Sequence, residues 1–295
     1  MSYYASAGER YRDAIAEALR DGGRVVDLHV EQRDDPVVRT LVALPDGTLE
    51  PHELVAAERV APTIVDLAPA IGWDEREAHD RDGVSFAGHE PLRPLLDHPA
   101  DPAAWTVPVD GDDAYDVAVG PIHAGVIESG HFRFHVVGER ILHVDARLFH
   151  KHRGLERLAE GRAPGDALRV VERACAACSV SNALAYCRAC EDALGVTAGP
   201  ALDRVRDLLL ELERTWSHLN DVAAVCAGVG FAAGNQLFAA LTDRARELNA
   251  RVGGHRFLRG TVTVGASTLA LDPDDARRAR LRPDAPHLVA RAGVS

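Results

Sequence analysis

The sequence predicts an α+β chain: a small mixed domain first, then a small antiparallel sheet followed by long, mostly buried helices. Three observations carry this. The first hundred residues alternate between a helix-spaced stretch and short β-rich runs closed by turn residues. Residues 97–114 (DHPADPAAWTVPVDGDDA) are rich in Pro and Asp and read as a linker. Beyond residue 165, apolar residues recur at helical spacing over long windows. The expected division is therefore 1–108, 116–265 and a polar, Arg-rich, Pro-interrupted tail at 266–295, which should pack poorly.

Element by element, 9–20 (ERYRDAIAEALR) has helical spacing and stops at Asp21-Gly22-Gly23. Residues 25–30 and 37–44 read as strands, the second closing at Pro45-Asp46-Gly47. Residues 51–60 (PHELVAAERV) suggest a short helix, and 63–67 a weak strand. Residues 117–119, 130–137 and 140–145 suggest the antiparallel sheet. In 201–219, Leu202, Val205, Leu208, Leu209, Leu212, Trp216 and Leu219 share one stripe, opened by Gly199-Pro200. Residues 235–249 repeat the pattern with Leu237, Phe238, Leu241, Ala245 and Leu248.

Composition limits the function. With 295 residues, 46% hydrophobic and 26% charged, two ordinary globular domains fit. The net charge is −12 and Lys151 is the only lysine, so no nucleic-acid partner is expected. The start, MSYYASAGER, lacks the apolar segment of a signal peptide. The longest apolar run, 222–234, is too short for a ~30 Å hydrocarbon core. The expectation is a soluble cytoplasmic protein that meets a membrane only through partners. Neither a Gly-rich phosphate loop after a strand nor a nucleophile elbow is present.

Five cysteines, at 175, 178, 187, 190 and 226, lie within one third of the chain. Their odd number and clustering favour a reducing compartment over a disulfide framework. Cys175 and Cys178 can present two thiolates from a turn to one metal. A second C-x-x-C, Cys187 and Cys190, raises a four-cysteine zinc site as the alternative. The intervening SVSNALAY reads as helix, however, and spreads the four positions over about 180°. Cys187 and Cys190 then read as small buried residues. A second dense stretch, 120–134 and 147–161, holds His123, Glu128, His131, Arg133, His150, His152, Arg153 and Glu156. Together these could bind metal or relay protons. Taken singly, each histidine reads as structural.

GPIHAGVIESGHFRF, RLFHKHRGLERLAEG and ERACAACSVSNALAYCRACEDALGV resemble, in order and spacing, the large subunit of energy-converting nickel–iron hydrogenases of the formate-hydrogenlyase type. They are also similar to the D-type, quinone-site subunit of the respiratory NADH dehydrogenase. LERTWSHLNDVAAVCAGVGFAAGNQLFAALTDRARELN and GHRFLRGTVTVG continue the match, over about 117–265. Residues 66–96 resemble the C-type subunit through W-x-E-R-E (from Trp73) and F-x-G-H-x-x-L-R (from Phe86). A C-type/D-type fusion resembles the hydrogenase branch.

The resemblance implies a subunit of a membrane-associated redox complex acting on hydrogen or a quinone, with NADH-linked relatives. Its partners would be a small iron–sulfur subunit and membrane subunits. The location implied is cytoplasmic, peripheral on the inner face of the cell membrane. It implies metal ligation by Cys175 and Cys178, which match R-x-C-G-x-C with Ala176 in place of Gly. It implies a proton-passing role for Glu128 and a quinone-site position for His123. Asn182 stands where the hydrogenases have His. The second pair, D-P-C-x-x-C, has no counterpart, since Asp272-Pro273 is followed by Asp274. The expectation is a C-terminally shortened chain. A nickel–iron centre would form only with a second polypeptide carrying the other pair, and otherwise no cofactor. The alternative is a non-catalytic structural or assembly subunit with an incomplete metal site.

Overall fold

The computed structural model describes residues 2–97, 99, 101, 106–123 and 129–269. The chain forms two compact units, Met1–His152 and Arg153–Ser295.

The first unit opens with α1 (Ser2–Arg20), which turns Tyr11, Ile15 and Ala18 inward. These follow i, i+4, i+7, one face of a helix. Next comes an antiparallel meander, β1 (Arg24–Glu31), β2 (Val37–Ala43) and β3 (Leu49–Val55), in that order. The β2–β3 turn forms where Pro45-Asp46-Gly47 predicts it. Asp46 Oδ1 accepts the Thr48 N–H at 2.9 Å, and Gly47 takes φ +88°. Ile15 packs with Leu28, Val38, Leu54, Ile64, Val84 and Phe86 in one core.

The helix expected at 51–60 is not there. Residues up to Val55 continue the sheet, and a single 3-10 turn follows at Ala57–Arg59. His52 and Leu54 point inward while Glu53 and Val55 point out. The period is two, and a short window rich in Glu and Ala hid it. The strand expected at 63–67 lies earlier, as β4 (Val60–Pro62).

β4 pairs in parallel with β5 (Ser85–Ala87), and α2 (Gly72–Asp82) forms the crossover between them. Helix α2 was invisible to periodicity because its sequence, GWDEREAHDRD, has no apolar stripe. Its buried residues are Glu75 and Ala78. It ends at Gly83 in the left-handed region, where a side chain would be strained.

The expected second sheet is present: β6 (Tyr115–Val119), β7 (His131–Val137) and β8 (Arg140–Arg147), antiparallel in that order. At its rim Gly120 has φ +82°, and a Cβ there would sit 1.9 Å from the Gly130 carbonyl oxygen. Only glycine fits this close approach.

The second unit is helical: α3 (Leu155–Ala159), α4 (Pro164–Val171), α5 (Ser179–Leu194), α6 (Pro200–Gly228) and α7 (Ala232–Gly253). A hairpin, β9 (Val262–Thr263) and β10 (Ala266–Ser267), closes it. Leu168, Val180, Leu184, Cys187, Leu209 and Leu258 belong to its core. The hairpin takes in the first residues of the expected loose tail, and Leu269 packs on the core. The rest of that tail lies outside the described residues.

Pro200 sits in the first turn of α6, where its missing N–H costs nothing. Both long helices outrun their expected spans. Val205, Leu209 and Trp216 from the predicted stripe are buried, while Leu208 is exposed. Arg206 is fully buried and forms a two-pronged ion pair with Glu191. It also donates to the Thr263 carbonyl. Gly234 lets α7 approach α6, since a Cβ would meet the Phe231 ring at 2.5 Å and Cys226 Sγ at 2.8 Å. The far end of this helix pair exposes Val225, Val229, Phe231 and Leu237.

Candidate functional site

Cys175 and Cys178 lie on the turn that leads into α5, which carries Asn182, Tyr186 and Cys187. Several contacts hold this turn. Arg153 donates to the carbonyls of Arg173 and Ala174. Glu172, 5% exposed, accepts the Gly260 N–H at 2.9 Å. The Cys178 N–H reaches the Cys175 carbonyl at 3.4 Å, and Cys178 is the N-cap of α5. Cys175 is exposed and Cys178 half-buried.

The first turn of α5 carries unpaired amides and the positive end of the helix dipole, which ordinarily lower a nearby thiol. Here Glu213 of α6 takes that position. It is 6% exposed and accepts N–H groups from Val180 at 2.6 Å and Ser181 at 3.0 Å. The Cys178 thiol is pushed up to about 11, chiefly by burial, then by its hydrogen bond and charge coupling with Cys175, then by Glu213. The Cys178 thiol is thus held in its protonated form, in contact with Cys175. A cation that binds the pair must displace that proton.

The four paired cysteines do not gather. Cys187 is fully buried, and burial pushes its thiol to about 11. Cys190 instead hydrogen-bonds Tyr186. Among the described residues no three His, Cys, Asp or Glu side chains are arranged to hold a metal ion. The turn offers two thiols, half of a four-thiolate centre. The described residues therefore do not fit a complete nickel–iron site.

In the first unit, His123 is exposed beyond the Gly120–Pro121 bend, and Glu128 lies outside the described residues. Several other histidines in and beside the dense stretch are engaged by neighbouring groups. His131 Nδ1 faces the Gly120 carbonyl at 3.1 Å. His135, 5% exposed, lies between Asp116 (2.7 Å) and Asp145 (2.8 Å). Burial pulls the Asp145 carboxyl upward, but His135, the Val107 N–H and His143 outweigh it and hold it below the usual range. His152 faces Glu77 at 3.7 Å.

The C-type-like motifs form a clasp. Glu75 is fully buried and accepts from Thr63 Oγ1 (2.7 Å) and the Ile64 N–H (2.8 Å). His89 Nδ1 lies 2.7 Å from the same carboxylate. Arg76 donates to the carbonyls of Arg93 and Pro94, and Asp80 accepts the Leu95 and Leu96 amides. The sequence motifs do not show this contact, and they assign no role to Glu213 or to Glu172, the first residue of the cysteine stretch. No local pattern marks a glutamate whose partners lie 33 and 88 residues away.

The chain thus joins an α+β first unit to a helical second unit that carries a thiol turn, and each unit has a family match of its own. Residues 37–112 match the respiratory-chain NADH dehydrogenase 30 kDa subunit family, and 153–221 match the nickel-dependent hydrogenase family. The chain belongs to the hydrogenase and NADH-quinone oxidoreductase large-subunit family. It is 31% identical over 235 residues to hydrogenase-4 component G of Escherichia coli (strain K12), covering 71% of this chain and 42% of that one. It is 26% identical over 259 residues to the fused C/D-type NADH-quinone oxidoreductase subunit of Phocaeicola vulgatus, covering 74% and 49%. The chain thus spans less than half the length of these relatives. A chain of the membrane-bound sulfane sulfur reductase, an archaeal respiratory membrane complex, shares the fold. Its TM-score is 0.55 at 23% identity, covering 63% of this chain and 48% of that one. No described helix is long and apolar enough to cross a membrane.

Proposed function

We propose that this chain serves as part of the large subunit of a membrane-associated redox complex that moves electrons and protons, with hydrogen or a quinone as substrate. The observation that carries the reading is the thiol pair. Cys175 and Cys178 share a pinned turn, in contact with each other and open to a ligand, and their spacing resembles that of the family's first cysteine pair.

Two thiolates leave a four-thiolate nickel–iron centre incomplete. The other pair would come from sequence outside residues 1–295 or from a second polypeptide. In such an assembly Cys175 and Cys178 would hold one side of the metal, and the metal would supply the redox chemistry. Glu128 and His123 would serve proton transfer or quinone contact. The partners would be a small iron–sulfur subunit and membrane subunits, placing the chain on the inner, cytoplasmic face of the cell membrane.

A second reading is a non-catalytic structural subunit. It is favoured by Ala176 and Asn182, which depart from the hydrogenase pattern, and by the raised Cys178 thiol. Nickel analysis separates the two. The 295-residue chain alone should hold no stoichiometric nickel. Co-purified with a polypeptide carrying D-P-C-x-x-C, it should acquire nickel, and Cys175→Ser or Cys178→Ser should abolish it. Nickel and activity untouched by both substitutions would establish the structural reading. One-to-one zinc lost on Cys187→Ser would revive the four-cysteine site.

A further inference from the structure

A cleft of about 500 Å³ opens on the first unit, between the C-terminal half of α1 and the β2–β3 hairpin. From α1 it receives Ala14, Glu17 and Ala18, spaced i, i+3, i+4 and therefore on one face, and Asp21 follows just past the helix end. The hairpin contributes Leu44 and Pro45 at the turn and Glu50 and His52 from β3. Asp46 also lines it, but its carboxylate is engaged by the Thr48 N–H, which lowers its pKa. Glu17, Asp21 and Glu50 pair with no described arginine or lysine, so the rim carries uncompensated negative charge.

His52 supplies a second, independent observation. It is 9% exposed, and its Nε2 is buried without a hydrogen-bond partner. Glu50 Oε1 lies 3.9 Å from that nitrogen, too far for a hydrogen bond. A buried ring nitrogen left unpaired is costly, and a ligand group that hydrogen-bonds to it would recover that cost. The cleft therefore offers carboxylates at the rim, an unpaired imidazole nitrogen at the base, and an apolar wall of Ala14, Ala18, Leu44 and Pro45.

A bare divalent cation fits poorly. Among the described residues no three donors converge, and the cleft is far larger than an ion. An amphipathic cation with an aliphatic stem matches both wall and rim. A planar guanidinium carries several N–H donors, enough to meet a carboxylate and the imidazole together, whereas an ammonium is a point charge. We propose that this cleft is a docking pocket for an arginine side chain presented by a partner protein. The pocket lies in the first unit and does not rest on the metal reading.

The test is ¹⁵N-TROSY titration of the full chain with Nα-acetyl-arginine methylamide, with the lysine analogue and zinc chloride as separate probes. Shift changes should concentrate in residues 14–21 and 44–52. Binding should be about threefold or more tighter for the arginine probe than for the lysine probe. The Glu17→Gln/Glu50→Gln variant, altered only at exposed positions, should keep its melting temperature and weaken arginine binding about fivefold or more. Shifts scattered over the acidic surface, or unchanged affinity in that variant, would overturn the proposal. One-to-one zinc binding at these residues without a localised arginine response would also overturn it, in favour of a metal site.

Discussion

Glu75 in the first unit and Glu213 in the second are the same device put to different ends. Each is a helical glutamate, almost fully buried, that accepts backbone N–H from another segment, one amide for Glu75 and two for Glu213. Around Glu75 the remaining acceptor capacity is taken up by Thr63 and His89, and the cluster is closed. Around Glu213 the carboxylate caps α5 beside two thiols, one of them exposed. The first clasp joins β4, β5 and α2 and leaves nothing for a ligand. The second stiffens a turn and leaves two soft donors at its lip. A buried carboxylate by itself thus says little about function, whereas reactive atoms left over beside it say a good deal.

The largest effect should come where a buried carboxylate loses a charged partner. Arg206→Ala leaves Glu191 buried and unpaired and should cost about 3–5 kcal/mol, read as a fall in the melting temperature. Arg206 holds the Glu191 carboxyl below the usual range against the opposing pull of burial, with the Gly265 N–H assisting. Its stabilising contribution is therefore present above the unfolded carboxylate pKa and lost as pH falls through the lowered folded value. Acid should destabilise the native chain through this pair, and the Arg206→Ala chain should lack that component.

Glu75→Ala should follow, at about 3 kcal/mol, because it strands a hydroxyl, an amide and an imidazole in a closed interior. A loss under ~1 kcal/mol in chemical denaturation would show that the clasp is not closed. Glu213→Ala should cost less, about 2 kcal/mol, since only two amides at a helix end lose their acceptor. Hydrogen exchange at Val180 and Ser181 should accelerate while the far end of α5 stays protected. An equal or larger loss than Glu75→Ala would reverse the comparison.

The smallest effect concerns Asp74, next to the clasp. Burial, then Asp27, pushes its carboxyl up to about 6. The folded chain thus binds this proton more tightly than the unfolded chain, whose value is about 3.9. Stability from this group falls as pH rises through that interval and stays lost above it. Asp74→Asn should stabilise the protein by about 1 kcal/mol at pH ~7, after allowing for solvent screening, and by nothing at pH ~3. A pH-independent gain would mean that the amide acts through packing.

Legibility followed range. Helix α1, the β1–β2 pair, the second sheet, the α6 stripe and the presence of α7 announced themselves through local period and turn residues, although Leu237 of the expected α7 stripe is exposed. The placement of Cys175 and Cys178 before a helix was legible too, because both lie within one turn of sequence. The expected helix at 51–60 failed because Glu-Leu-Val-Ala-Ala-Glu has good helix propensity, while pairing with β2 made it a strand. Helix α2 escaped because its inward residues are Glu75 and Ala78, and a charged residue on an inner face carries no apolar signal.

The sequence by itself determined the α+β class, the family and the two-thiol turn, because each depends on residues close together along the chain. Only the tertiary structure decided which glutamates are buried, that Arg206 meets Glu191, and that His89 closes on Glu75. It also decided that Glu213 occupies the dipole position a thiolate would otherwise have used. The physical reason is that a polar side chain enters the interior only when distant segments supply its partners. No local period encodes where those segments will meet.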